Sequence, residues 1–550
     1  MRRHAAAAAT LAAAVVGWLL VWAAAVSSSA TYDETTYLNA AARWWRTGDP
    51  VGITRMGTPN LFWKAQLAPT YLALDLSGRG DLIADQPGRQ AELLPIARLG
   101  ASWIWLAGLA VSALWARNLN GPWAMAFAAW LYALSPNLIA HGSLVTMEVP
   151  LTVATAATFL AFGSFLATGR RRWFWASAAL CGLAFACKFT AIVYPPILGV
   201  VWWLHDRSRR ALLRKGLAMA GFVAAMLAAD FALTGFATLP LSPHVGDHPS
   251  ATGRFAGLIS RAYETPIPQD WVGFATQMKH QATGGPSYLL GERRMWGWRH
   301  YYLVALAVKV PLAFWLLAGA RFFRDGLRNC LTREPDKGLL QAALLFFLVA
   351  SIGSSRNYGV RYLLPMAPLA IVWLSRLASD AALAGVRGRA ARVVVSLGLI
   401  GQAIAVASVF PHELTYFNPL AGGRGGGRYV LADSNLDWGQ GLRSLRRLQD
   451  ERPEFRDLTL YYFGDVDPAA YGVAGVHHVV DAVGAWPEPP PLESATTGYL
   501  GVSASLQHGP WGPDGFFRPL DGRVPVATTD DGTIAVYRVR PPVRLMSDLP

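Results

Sequence analysis

Long apolar runs alternate with short polar connections over the first three quarters of the chain. The first run follows "MRRH" and continues to about residue 30; others lie at 97–116, 122–140, 150–168, 173–188, 190–205, 212–233, 301–320, 338–353, 362–379 and 391–410. A helix needs roughly 20 apolar residues to cross the hydrocarbon core, so the pattern predicts a polytopic α-helical membrane protein with about eleven transmembrane helices. A cleaved signal peptide would explain the basic start, the first run and the small residues "AVSSSA", but none of the later runs. The first run is therefore read as a retained span.

The polar connections separate by composition. One set is basic: "MRRH", "GRRRW", "HDRSRRALLRK", "RFFRDGLRNCLTREPDK" and "VRGRAAR". The other is longer and carries acids, aromatics, Pro and Gly: 31–96, 141–149, 234–300, 354–361 and everything after 410. Basic loops mark the cytoplasmic side, so the second set is predicted to be extracytoplasmic. Within it, "YLNAAARWW" and "WVGFATQMKHQ" have the spacing of interfacial helices. Beyond about residue 425 the pattern changes: "RSLRRLQDERPEF" reads as a helix, and "DLTLYYFG", "GYLGVSAS" and "TIAVYRVR" read as strands. The predicted organisation is a membrane domain at 1–424, with long outer loops 31–96 and 234–300, then a small soluble α/β domain at 425–550.

Composition agrees, with 53% apolar and only 15% charged residues. The net charge of +14 follows from the cytoplasmic loops, and no interleaving of basic and aromatic residues suggests a nucleic-acid surface. Cys181, Cys187 and Cys330 have neither metal spacing nor a disulfide framework. "GGRGGG" at 422–427 and "WPEPPPLE" at 486–493 read as loops; the former lacks the Lys-Ser/Thr of a phosphate loop. "HELTY" has Tyr416 where a zinc-protease motif needs its second His.

Ionisable residues at the ends of spans carry the candidate chemistry, because a charge in lipid is costly. Asp33 and Glu34 follow the first span in "TYDETTY", and Glu148 opens another in "SLVTMEVPLTV". Each has a plain alternative: a solvated acid pair, or a helix cap formed with Thr146. On one membrane face, however, separated carboxylates can deprotonate a hydroxyl, and a divalent cation held by Asp33 and Glu148 is an open option, though not a required one. Lys64, Arg98, Lys188, Arg356 and Arg361 are predicted on the same side, where clustered cations suit a phosphate or pyrophosphate. Asp433, Asn435 and Asp437 in "DSNLDWGQGL" either line an acceptor entrance or make a turn.

As a set, these motifs resemble the GT-C membrane glycosyltransferases, specifically glycosyltransferase family 39, which includes protein O-mannosyltransferases and their bacterial relatives. The similarity runs through "YDETTYLNAA", "LSPNLIAHGSLVTMEVPLT", "GLAFACKFTAIVYPP", "YLLGERRMWGWRHYYLVALAVKVPL", "RYLLPMAPLAIV" and "YFNPLAGG…LADSNLDWGQGL". The resemblance implies inverting transfer of a sugar from a polyprenyl-phosphate donor to a hydroxyl of a protein, lipid or glycan acceptor, outside a bacterial inner membrane. It puts the family's acid pair on Asp33 and Glu34, with Asp33 as base, and the second-loop acid on Glu148, where many relatives have Asp. It also puts Lys188 and Arg361 near the lipid phosphate. The family's "PPL" is replaced here by "LAPTYL", preceded by Lys64. Competing readings are a lipid or sugar transporter and a non-catalytic membrane scaffold.

Overall fold

Arg2–Ser27 forms one helix of 26 residues, long enough by itself to cross a bilayer. The computed structural model describes residues 2–49, 51–86, 88–208, 212–241, 261–353, 355–379, 384–480, 498–512 and 516–539. Among these, seven helices are long and apolar enough to span a membrane, or up to nine if each of two bent pairs counts as one span. The chain is an integral membrane protein. The runs expected at 173–188 and 190–205 become the helix Arg171–Cys187 and a broken stretch, Phe189–Val193 followed by Tyr194–His205. Neither is among the seven membrane-length helices, and Phe189–His205 is a shorter apolar helix.

Helices approach closely where the sequence supplies small residues. A side chain at Gly17 would collide with Trp105 and Ala133, and one at Gly182 with the backbone of Met226; glycine permits both crossings. The predicted interfacial helices are present as Tyr32–Thr47 and Gln269–Thr283. Two expectations need correction. The run expected at 122–140 is two helical segments, Pro122–Ala133 and Pro136–Gly142, bent by 66° from one another. The "GGRGGG" segment contains one short helix, Gly423–Gly427, entered through left-handed Gly422 at φ +73°; that turn needs glycine. "WPEPPPLE" lies outside the described residues.

Two small hairpins decorate the loop 234–300. Strand β1 (Thr238–Pro240) pairs with β2 (Pro266–Pro268), and β3 (Ser287–Leu289) with β4 (Glu292–Arg294). The C-terminal part builds a five-stranded mixed sheet from β5 (Leu458–Phe463), β6 (Val476–Val480), β7 (Tyr499–Ser503), β8 (Ala527–Thr528) and β9 (Ile534–Arg538), in the order β6-β5-β7-β9-β8. Central β5 runs parallel to β6 and β7, and β9 is antiparallel to β7 and β8. Every residue of β5 is buried, as expected of a central strand covered on both faces, and only Thr459 interrupts its run of aliphatic and aromatic side chains. Leu458, Leu460 and Tyr462 pack in one cluster with Leu442 and Leu445 of the helix Leu442–Glu451. Tyr461 and Phe463, on the opposite face, pack with Trp438, Phe516 and Phe517.

This sheet is tied to the start of the Asp33 helix. Ser29 N donates to Gln440 O at 3.0 Å, and Tyr32 N to Trp438 O at 2.9 Å. Tyr462 Oη donates to Gly439 O, bracing the same segment from β5.

Candidate active site

The helix that carries Asp33 begins after a polar break at Ser28–Thr31, so both acids fall in its first turn. Adjacent helical positions point about 100° apart, and the two carboxylates go to different places.

Glu34 turns inward and is fully buried. Arg98 donates Nε to Oε1 at 2.9 Å and Nη2 to Oε2 at 2.6 Å. Val145 N donates to Oε1 at 2.8 Å, and Thr31 N and Oγ1 donate to Oε2, each at 3.0 Å. Burial pushes the Glu34 carboxyl up, but Arg98 and these amides outweigh it and hold the group below its ordinary range. Arg98 also donates to the carbonyls of Ala25, Ser28 and Ser29, satisfying the exposed end of the first helix.

Asp33 turns the other way, and 26% of its side chain remains accessible. Arg361 Nη1 donates to Asp33 Oδ2 at 2.9 Å and lies 3.7 Å from Glu148 Oε1. Lys188 Nζ donates to the same Glu148 oxygen at 3.1 Å. Asp33, Arg361, Glu148 and Lys188 thus form a continuous chain of alternating charge. Burial raises the Asp33 carboxyl above its ordinary value, with Glu148 adding to the rise; Arg361 and Lys188 oppose it without cancelling it.

Each member occupies an element end. Glu148 opens the helix Glu148–Thr168 and is turned to Lys188. Lys188 has extended backbone where Arg171–Cys187 stops, and Arg361 lies in the first turn of the 3-10 helix Val360–Met366. The helix Glu148–Thr168 is 21 residues long, about 30 Å, and "GRRRW" follows its far end. The charged cluster and the most basic loops are therefore at opposite ends of a membrane-spanning element.

Aromatic rings frame the cluster. Arg361 lies 4.1 Å above the Trp438 ring, and Lys188 lies 4.3 Å above Tyr362. Arg361 Nε donates to Tyr358 O at 3.2 Å, while Nη2 has no hydrogen bond to a described residue. The Tyr37 hydroxyl is buried beside Asp33 and Glu148, and its pKa is pushed well up by burial first and then by those acids. Tyr37 was findable, because it lies four positions after Asp33 on one helix face. Trp438 was not: it arrives from the C-terminal part through long-range packing.

The remaining expected site residues divide. Asp433 is buried near Arg361 and Asp33, with burial carrying its pKa to about 7; its φ of +56° is a left-handed conformation unusual for a non-glycine residue. Asn435 instead accepts from Val360 N at 2.9 Å and donates to Tyr301 Oη at 2.9 Å, a buried clamp. Asp437 accepts from Gly439 N at 3.1 Å and Ser505 N at 2.8 Å, the turn-forming alternative, and burial carries it to about 7. Lys64 lies over Trp44 and Trp63 at 5.0 and 5.5 Å, with Asp270 as its charged neighbour. Arg356 donates to Gly284 O at 2.8 Å in the 234–300 loop. Lys64, Arg98 and Arg356 therefore each have partners other than the Asp33–Glu148 cluster.

No group of three or more metal-type ligands occurs among the described residues. Arg361 and Lys188 engage Oδ2 of Asp33 and Oε1 of Glu148, while Glu148 Oε2 is buried without a hydrogen-bond partner.

Apolar spans, a charged cluster at their ends and a small C-terminal sheet define a polytopic membrane protein with a polar site at the end of its spans. The family model for dolichyl-phosphate-mannose-protein mannosyltransferases matches residues 97–232. That match covers the membrane helices between Gln90–Ala101 and Leu212–Leu233, so this part of the chain is similar to the GT-C membrane glycosyltransferases. Among solved structures, it is similar to ArnT from Cupriavidus metallidurans in the apo state, at 17% identity and a TM-score of 0.49 over 96% of this chain and 98% of that one. For the same protein bound to undecaprenyl phosphate the values are 15% identity, a TM-score of 0.48 and 96% of each chain. No curated protein matches the sequence.

Proposed function

We propose that the protein is an inverting hexosyltransferase that moves a sugar from a polyprenyl phosphate to an acceptor hydroxyl at the outer face of a bacterial inner membrane. The observation that carries this reading is the alternating chain Asp33–Arg361–Glu148–Lys188 at one end of the spans. The matching family's name supplies the donor chemistry, a dolichyl-phosphate sugar; dolichyl phosphate is a polyprenyl phosphate. The acceptor is a protein, lipid or glycan.

The chemistry follows from the placement. The acceptor oxygen attacks the anomeric carbon, the bond from that carbon to the phosphate oxygen breaks, and the leaving phosphate takes the electron pair. Asp33 accepts the acceptor's proton. Arg361, through Nη2, and Lys188 stabilise charge on the departing phosphate, while Glu148 holds both cations in position. A lipid tail stays in the bilayer as the sugar enters from the edge. The division at 424/425 is part of the same reading: the membrane domain supplies the charges, and the C-terminal α/β domain supplies Trp438 and Asp433.

The direct test incubates purified protein with radiolabelled polyprenyl-phosphate hexoses and membrane extract, then identifies the labelled product. Release of free hexose without a glycosylated product would refute transfer to a hydroxyl acceptor. Two further outcomes follow. Arg361→Gln lowers kcat/KM by about 10²-fold, the scale for losing one transition-state donor, whereas Lys64→Met and Arg356→Met stay within about threefold because neither side chain is in the cluster. The base must be ionised to act, and burial raises its pKa. Activity therefore falls with decreasing pH from a point above the ordinary aspartate range, and a kcat/KM profile between pH 4 and 8 (roughly the span over which a raised carboxylate titrates) reads that limb.

A further inference from the structure

A cavity of about 510 Å³ lies at the end of the spans opposite the charged cluster. Its volume is within the roughly 300–1,000 Å³ range of small-ligand sites. The walls are apolar, with Phe162, Leu198, Val201 and Leu339 all buried. The mouth is basic: Arg170 and Arg172 line it, both exposed and neither in an ion pair among the described residues. Glu334 is also there, but Lys337 lies 3.5 Å from it and counters its charge, and His205 Nδ1 lies 3.3 Å away.

A second feature coincides with the mouth. The helix Arg171–Cys187 begins there, with no side-chain cap and no acid in its first turn. Its first backbone amides and positive dipole end favour an anion. An apolar chamber in the bilayer, opening at a basic helix start, has the chemistry of an amphiphile with an anionic head. Basic pockets between membrane helices on the side of the positive loops suit anionic phospholipid headgroups.

We infer that this cavity binds one anionic phospholipid of the bilayer, with an acyl chain between the helices Glu148–Thr168, Tyr194–His205 and Asp336–Gly353 and the phosphate at Arg170 and Arg172. The site is separate from the sugar-transfer cluster, because the helix Glu148–Thr168 places the two at opposite ends.

Gly163 provides a clean probe. It lines the cavity, and a Cβ built on it meets no atom within 4 Å, so Gly163→Phe fills the chamber without a backbone clash. Wild type, Gly163→Phe and Arg170→Gln/Arg172→Gln are equilibrated with equimolar dioleoyl phosphatidylglycerol and phosphatidylethanolamine, and retained lipid is counted by native mass spectrometry. Parallel samples receive inorganic phosphate alone, and thermal melts check folding. Wild type should retain phosphatidylglycerol about fivefold over phosphatidylethanolamine, the double arginine variant should lose the preference, and Gly163→Phe should lose most of the bound lipid at an unchanged melting temperature. Equal retention of the two lipids by wild type, undiminished lipid on folded Gly163→Phe, an unchanged preference in the arginine variant, or saturable phosphate binding without lipid retention would each overturn the inference.

Discussion

Asp33→Asn should lower kcat by about 10²–10⁴-fold, the usual contribution of a positioned general base, while the protein still folds and binds polyprenyl phosphate. Asparagine has the shape of aspartate and retains an oxygen for Arg361 Nη1, which now bonds Oδ2 at 2.9 Å. What disappears is the proton acceptor. Burial raises this carboxyl while Arg361 and Lys188 restrain the rise, placing the base closer to working pH than a solvated aspartate. A loss confined to kcat, with donor affinity by lipid-binding titration unchanged, identifies a step made in the transition state. If the purified variant turned over at the wild-type rate, Asp33 would not be the base; loss of donor binding alone would make it a binding residue.

The two acids of "TYDETTY" also mark where the sequence stops being informative. Hydropathy located the spans because lipid forbids unpaired backbone groups. The ends of those spans exposed Asp33, Glu148, Lys188 and Arg361 as ionisable residues in the wrong solvent. Nothing local separated Asp33 from Glu34, since their division depends on which neighbour waits on each side of one helical turn. Arg98, expected at the phosphate, is instead paired with Glu34 and bonded to the carbonyls of Ala25, Ser28 and Ser29. Trp438 and Asp433 join the cluster only because strand β5 and its neighbours press the 433–440 segment against the Asp33 helix. Such placement depends on packing between distant segments, which periodicity does not encode. Lys309 shows the same limit: it is buried and donates to Leu414 O and Asn435 O at 2.9 and 2.6 Å, holding the candidate acceptor segment from the membrane side.

Breaking the Glu34–Arg98 pair is expected to destabilise the protein by about 3–5 kcal/mol, because removing one partner strands a buried charge. Both side chains have 0% exposure, so bulk solvent does not reach the groups that would lose their bonds. Glu34→Ala leaves the Arg98 guanidinium without its carboxylate, and Arg98→Ala leaves the carboxylate buried and also releases three carbonyls at the end of the first helix. The Arg98 change should therefore be the worse of the two. Thermal unfolding in a fixed detergent measures both losses. The double variant Glu34→Met/Arg98→Met should recover part of the stability, since no charge is orphaned. Turnover distinguishes this structural role from catalysis: Glu34→Gln that folds should keep kcat within about tenfold of wild type, because its carboxylate already accepts five hydrogen bonds and has no free oxygen for a substrate proton. A folded Glu34→Gln protein with wild-type melting temperature and no turnover would move Glu34 into the catalytic machinery and dissolve the distinction between the two neighbours.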